Sequence, residues 1–251
     1  MMTKPFWGCF LFTLIVLCVP SDTRAQIDPQ KVLDNAVQKL GGTVYMGVKD
    51  IEGHGRFYEF QRGELIGGEN FFSDYIKFPD KQRTEFGKDR KAARVNNGNE
   101  GWNISDKEID EQLGEQTEVF WEEFKVSLDY LMRFVIGESE TTLQYVGREI
   151  MDFNRVDILE IRDEDRTRIN LFIDRESGIL MKKTIRRLND PAIHEEVYSN
   201  YHEIQNVLTP LLINRYTNGM KTLEVRFDEV AYNTGIVDRV FSPAVLRYTK
   251  N

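Results

Sequence analysis

From Thr141 to Val230 the chain alternates apolar and polar residues through one run after another, and this two-residue period restricts its fold. Leu143, Tyr145 and Met151 share a phase, Val156 and Ile158 set the next, and Ile169, Leu171 and Ile173 follow. Asp174-Arg175-Glu176-Ser177-Gly178 turns the chain, and Ile179, Met181 and Ile185 continue. Glu196 to Ile204, Leu211 to Tyr216 and Thr222 to Val230 complete the series, with Leu223, Val225 and Phe227 alternating with Glu224, Arg226 and Asp228. One wet face and one dry face on consecutive strands describe an antiparallel meander. The dry faces must be buried by pairing into a sandwich, closing into a barrel or curling around something.

The first half reads as one helix followed by strands. Asp28 is an N-cap, Pro29 suits the first helical position, and Val32, Leu33, Ala36, Val37 and Leu40 recur at helical spacing until Gly41-Gly42. Thr43 to Ile51 and Arg56 to Arg62 are β-rich runs, with Glu52-Gly53-His54-Gly55 between them as a hairpin signal. Strands are expected over 70–78, 83–88, 92–95 and 101–104, separated by Pro79-Asp80-Lys81 and Asn96-Asn97-Gly98-Asn99. The periodicity then predicts a second helix over 117–136, with Phe120, Phe124, Leu128, Leu131 and Val135 on one face. Val119, Trp121, Tyr130, Met132 and Phe134 widen that apolar surface, so the helix has more than one thing to cover. It suits a lid in the hollow of a curled sheet or a plug filling the core, and the pattern alone does not separate the two.

Residues 1–25 read as a secretory signal peptide: Lys4, an apolar run from Phe6 to Val19, then Thr23-Arg24-Ala25 before a cut ahead of Gln26. Both cysteines, Cys9 and Cys18, fall in that segment, so the exported chain would fold without disulfides. The 226 residues left of 251 suffice for one core, and no composition break or repeat divides them. Losing Lys4, Arg24 and Asp22 moves the net charge from −8 to −9. That balance argues against nucleic acid, whose binding depends on neutralising phosphates, and against loose adhesion to an anionic membrane face.

Catalytic chemistry has little to stand on. His54, His194 and His202 show no zinc-protease spacing, no serine sits in a G-x-S-x-G elbow, and no phosphate-binding glycine loop occurs. His194-Glu195-Glu196 with His202-Glu203 reads as a solvated strand edge rather than a metal site, and Arg162 to Arg166 as a charged hairpin tip rather than a calcium loop. No enzyme activity and no cofactor are expected. Aromatic residues make up 12% of the chain and crowd the early strands. Phe57, Phe71, Phe72, Tyr75, Phe78 and Trp102 from strands, with Phe120, Trp121, Phe124, Leu128 and Leu131 from the helix, are the candidate walls and lid of an apolar cavity. Plain core packing is the competing reading.

Several ordered stretches resemble the LolA-like family. Ile76-Lys77-Phe78-Pro79-Asp80-Lys81-Gln82-Arg83 is similar to the place where its strand ends before a proline turn. Asn97-Gly98-Asn99-Glu100-Gly101-Trp102-Asn103-Ile104 is similar to its glycine turn and tryptophan strand. Ile173 to Leu180 resembles a family hairpin, and Val237-Asp238-Arg239-Val240-Phe241-Ser242-Pro243 the closing stretch. The resemblance implies a mainly β fold, a curved antiparallel sheet forming a half-open barrel with a helical lid. It implies a periplasmic carrier that takes up acyl chains of a lipid or lipoprotein and passes them to a membrane-bound receptor. An envelope sensor of the same fold, binding a partner protein, is the alternative. Where the family's chaperone has an arginine before the proline that holds the lid shut, this chain has Phe78.

Overall fold

The structure, a computed structural model, describes residues 27–246. The expected signal peptide, with Cys9 and Cys18, lies outside them. Thirteen strands form a single antiparallel sheet: β1 (Asp50–Gln61), β2 (Glu64–Lys77), β3 (Lys81–Phe86), β4 (Ala92–Asn97), β5 (Glu100–Ser105), β6 (Ile109–Glu111), β7 (Thr142–Met151), β8 (Asn154–Arg162), β9 (Arg168–Asp174), β10 (Leu180–Arg186), β11 (His194–Ile204), β12 (Val207–Thr217) and β13 (Met220–Tyr232). Their order is β6-β5-β4-β3-β2-β1-β13-β12-β11-β10-β9-β8-β7. Two meanders thus run outward from the central β1–β13 pair, and the sheet does not close: it is a half-open barrel with few helices. Among the described residues there is one long crossover, from edge strand β6 to the opposite edge strand β7. The chain makes it through α3 (Gly114–Lys125) and α4 (Leu128–Arg133), which the topology forces across the mouth of the barrel.

α1 (Pro29–Leu40) forms as its caps dictate. Asp28 accepts a hydrogen bond from the Gln30 amide at 3.0 Å, and Gly41, at φ 125°, ends the helix. Its buried Leu33, Ala36 and Leu40 join Leu159, Ile161, Ile169, Leu171, Leu131 and Met132 in the main core, so α1 and α4 cover one inner face.

Four local expectations change. Thr43 to Met46 is a short helix, α2, because Tyr45 is drawn into the core under the Arg133 guanidinium, 4.0 Å from its ring. Glu52 to Gly55 is strand rather than turn. The two glycines leave room for β13: a Cβ on Gly53 would lie 2.9 Å from the Phe227 ring, and one on Gly55 2.1 Å from the Arg226 carbonyl oxygen. The expected helix over 117–136 is broken at Val126-Ser127, where Ser127 caps α4 and buried Lys183 donates to the Val126 carbonyl. The fourth change is one of face. Tyr75 of β2 and the apolar residues of β4 and β5 point outward: Tyr75, Ala93, Val95 and Ile104 pack with Trp102 under a C-terminal segment carrying Ile236, Val240 and Phe241. Buried Arg83 holds that segment, donating to the carbonyls of Val240 (3.3 Å) and Leu246 (3.0 Å) while paired with Glu85 at 2.8 Å.

Candidate functional site

The inner faces of the two meanders differ chemically. From β8 to β13 the inner positions are mainly apolar, interrupted by Lys183, Glu196 and Arg215. From β2 to β5 they are largely Asp74, Gln82, Thr84, Arg94, Asn96 and Asn103, apart from Phe72, Ile76 and Phe86. Two spaces lie between sheet and helices. The larger, about 560 Å³, has a wall of those polar side chains facing Val119, Phe120 and Phe124 of α3. The smaller, about 140 Å³, is a mainly apolar chamber walled by Leu40, Ile51, Leu128, Ile213, Phe227 and Val230, with Asp74, Asp129, Glu196 and Arg215 at its border. Ile76, Ser127 and Arg215 border both, so a polar cleft and an apolar chamber meet beneath the break between α3 and α4.

Of the expected wall residues, Phe57 and Phe72 point inward, ring centroids 6.3 Å apart, and Phe227 meets Phe72 edge-on at 5.4 Å. Phe71, Tyr75 and Trp102 lie on the outer face, because neighbours in a strand alternate and Phe72 takes the inward phase. Phe71 lies under the Lys88 ammonium, 4.5 Å from its ring centre, and Tyr75 packs with the C-terminal segment. Phe78 leaves β2 and stacks between Phe124 (6.2 Å) and Phe134 (5.7 Å). Phe120 stacks on Phe124 at 5.1 Å, while Trp121 meets both rings and donates to the Gly98 carbonyl at 3.2 Å. Leu131 is wholly buried in the main core, and Leu128 faces the chamber.

This ring stack fastens α3, whereas α4 is anchored in the main core by Leu131 and Met132. Each well-placed aromatic pair contributes roughly 0.5–1.5 kcal/mol beyond its burial. At the rim, Lys125–Glu164 (3.3 Å) is solvated and adds less than about 1 kcal/mol, while Arg187, itself mostly enclosed, reaches the exposed carboxylate of Glu123 at 2.7 Å. The position where the resemblance implies a lid-holding arginine is filled by Phe78, and an arginine comes from the helix side instead. Arg133 lies 5.1 Å over the Phe78 ring, donates to the Tyr45 carbonyl at 3.0 Å and pairs with Asp129 at 2.7 Å.

The sequence analysis put Glu196 on a solvated strand edge and passed over Lys183 and Arg215; the structure instead seats all three, inward-facing, under the helix break. Glu196 accepts an ion pair from Lys183 at 2.9 Å and from Arg215 at 2.9 Å, and a hydrogen bond from Tyr198 at 2.6 Å. Burial alone would raise its carboxyl, but Lys183, Arg215 and Tyr198 outweigh that and bring it down to about 2. Arg215 keeps 47% of its side chain open to the cleft, while Lys183 is fully enclosed. Nearby Asp74 is raised by burial, despite hydrogen bonds from Thr84 (2.7 Å) and Gln82 (3.0 Å). The signal was present in the strands: Lys183, Glu196 and Arg215 share the inward phase of Ile185, Tyr198 and Ile213. A charge at a dry position marks a group held by partners.

The histidines are engaged separately. His194 pairs with Asp190 at 2.7 Å, His202 with Asn200 at 3.1 Å, and His54 lies between Ser73 (2.9 Å) and Glu52 (3.2 Å). Among the described residues no group of three or more His, Cys, Asp or Glu is placed to hold a metal ion.

An unclosed antiparallel half-barrel crossed by a helical lid defines the LolA-like fold class. Solved structures agree. A DUF1329 family protein from Desulfovibrio piger superposes with a TM-score of 0.63 at 14% identity, over 88% of this chain and 100% of its own. A putative outer membrane lipoprotein-sorting protein domain from Vibrio parahaemolyticus gives 0.59 at 13%, over 87% of this chain and 99% of its own. A LolA superfamily protein from Nitrosomonas europaea gives 0.57 at 11%, over 86% of this chain and 98% of its own. These likenesses are of fold. No protein-family model and no curated protein matches the sequence.

Proposed function

We propose that the chain is an exported, non-enzymatic carrier of an acylated amphiphile, a lipid or a lipoprotein, working in the periplasm as a single domain of residues 26–251 after loss of residues 1–25. The supporting observation is the meeting of the apolar chamber and the polar cleft under the break between α3 and α4. An acyl chain fits the first environment and a polar head the second. Each methylene taken from water contributes about 0.8 kcal/mol, so part of one chain supplies useful affinity.

Release follows from the fastening. α4 is anchored in the core by Leu131 and Met132, whereas α3 is held by rings and rim ion pairs, contacts that a receptor or membrane can replace. Opening at the Val126-Ser127 break widens the 140 Å³ chamber without unpairing any strand.

Solvent extraction of the purified protein followed by mass spectrometry tests the reading. Acylated compounds should be recovered in stoichiometric amounts, or a fatty-acid probe should bind the delipidated protein. Repeated lipid-free preparations that take up no probe, or a stable protein complex with no lipid, would favour the interaction module instead.

A further inference from the structure

At the ends of β8, β9 and β10, Arg162 stands directly opposite Arg168, and Arg168 directly opposite Arg186. Like charges facing one another across strands repel. Glu160 answers part of this, 2.6 Å from Arg162 and 3.9 Å from Arg168. Arg186, and Arg166 at the adjoining turn, have no ion pair among the described residues. Arg166, Arg168, Arg186 and Arg187 line a rim cleft of about 350 Å³ whose acidic member, Asp190, is already taken by His194 at 2.7 Å. In a protein of net charge −8, this is a built concentration of positive charge. Guanidinium groups offer paired donors that match phosphate oxygens.

Arg187 belongs to two structures at once. It lines this cleft, and it reaches α3, 2.7 Å from Glu123 and 3.9 Å from Glu122. We infer that the rim cleft binds a phosphate group, and that binding draws Arg187 away from Glu122 and Glu123, loosening α3. Anion binding at the rim is thereby coupled to opening of the mouth. The binding half stands apart from the carrier reading; the coupling half rests on α3 acting as its lid.

Calorimetric titration of the purified protein with pyrophosphate at low salt tests the site. Binding is expected, and the exposed double variant Arg168→Gln/Arg186→Gln should weaken it by about tenfold or more, with an unchanged melting temperature. In a Trp102→Phe background Trp121 is the one tryptophan beyond residue 26, and it reports on α3. Its emission should shift to the red as pyrophosphate saturates. Arg187→Gln should show the shifted emission without anion.

Cosedimentation distinguishes the sources. Arginine-dependent binding of phosphatidylglycerol vesicles assigns the phosphate to a bilayer, and pyrophosphate binding alone assigns it to a soluble ester. The proposal is overturned if the double variant binds as tightly as the parent, if Trp121 does not respond, or if phosphatidylcholine vesicles bind equally and pyrophosphate does not bind. Pyrophosphate binding in a protein that takes up no acyl chain would sink the carrier reading and leave the anion site standing.

Discussion

Glu196 is held between Lys183 and Arg215 beneath the helix break, and its ionisation is a stability term. Its folded value, about 2, lies below its ordinary 4.5, so the stabilisation is fully present above pH 4.5 and is lost as pH falls toward 2. The difference corresponds to roughly 3 kcal/mol. Glu196→Gln should therefore cost about that much at pH 7 in denaturant unfolding, and the gap from the parent should narrow between pH 4.5 and 2. A gap that stays constant across that range would show the pairs to be incidental. Phe124 is 4% exposed and stacks with Phe78 and Phe120. Phe124→Asp should abolish acyl-probe uptake while circular dichroism keeps its β signature, since the strands do not depend on this ring. Loss of the β signature would instead assign Phe124 to the general core. These residues differ in how far the sequence revealed them. Phe124 stood out on an apolar helical face, whereas Lys183, Glu196 and Arg215 were hidden in strands because period-two reasoning sorts residues by polarity and discards the exceptions.

At the scale of elements, the strand series was readable because its period is enforced over ninety consecutive positions, from Thr141 to Val230. What remained unreadable depended on distant partners. Gly53 and Gly55 looked like a turn, yet they make space for Phe227 and Arg226, more than 170 residues away. The expected single helix breaks because Lys183, far along the chain, draws on the Val126 carbonyl. The outward turn of the apolar phase in β4 and β5 required knowing where Ile236, Val240 and Phe241 would settle. The lid also has a dynamic consequence. α3 lies on the crossover, fastened by rings and rim ion pairs, whereas β8 and β9 are sheet-bonded and buried. Hydrogen exchange should show amides 118–125 opening faster than those of 158–161 and 169–173. Arg187→Gln, which removes its contacts to Glu122 and Glu123, should accelerate the first group by about two- to fivefold or more and leave the second unchanged. Equal protection of both groups would mean that α3 is a fixed plug.

For the whole molecule, the strand pattern left sandwich, barrel and curled sheet open, the family resemblance implied a half-open barrel with crossing helices, and the fold agrees with that and with the lipoprotein-sorting and LolA superfamily structures. The division of the interior was less legible. The aromatic-rich early strands suggested an apolar wall throughout, but Phe71, Tyr75 and Trp102 face outward and the inner surface there is mainly polar. The result is a mouth with two environments, suited to a molecule that itself has two. The most direct measurement is photolabelling of the purified protein with a diazirine-bearing fatty acid, followed by peptide mapping. The account predicts labels on the segments carrying Ile76, Leu128, Ile213 and Phe227, and their loss in Phe124→Asp. Labels confined to the outer face around Ile236 and Phe241, or uptake unaffected by that substitution, would contradict it.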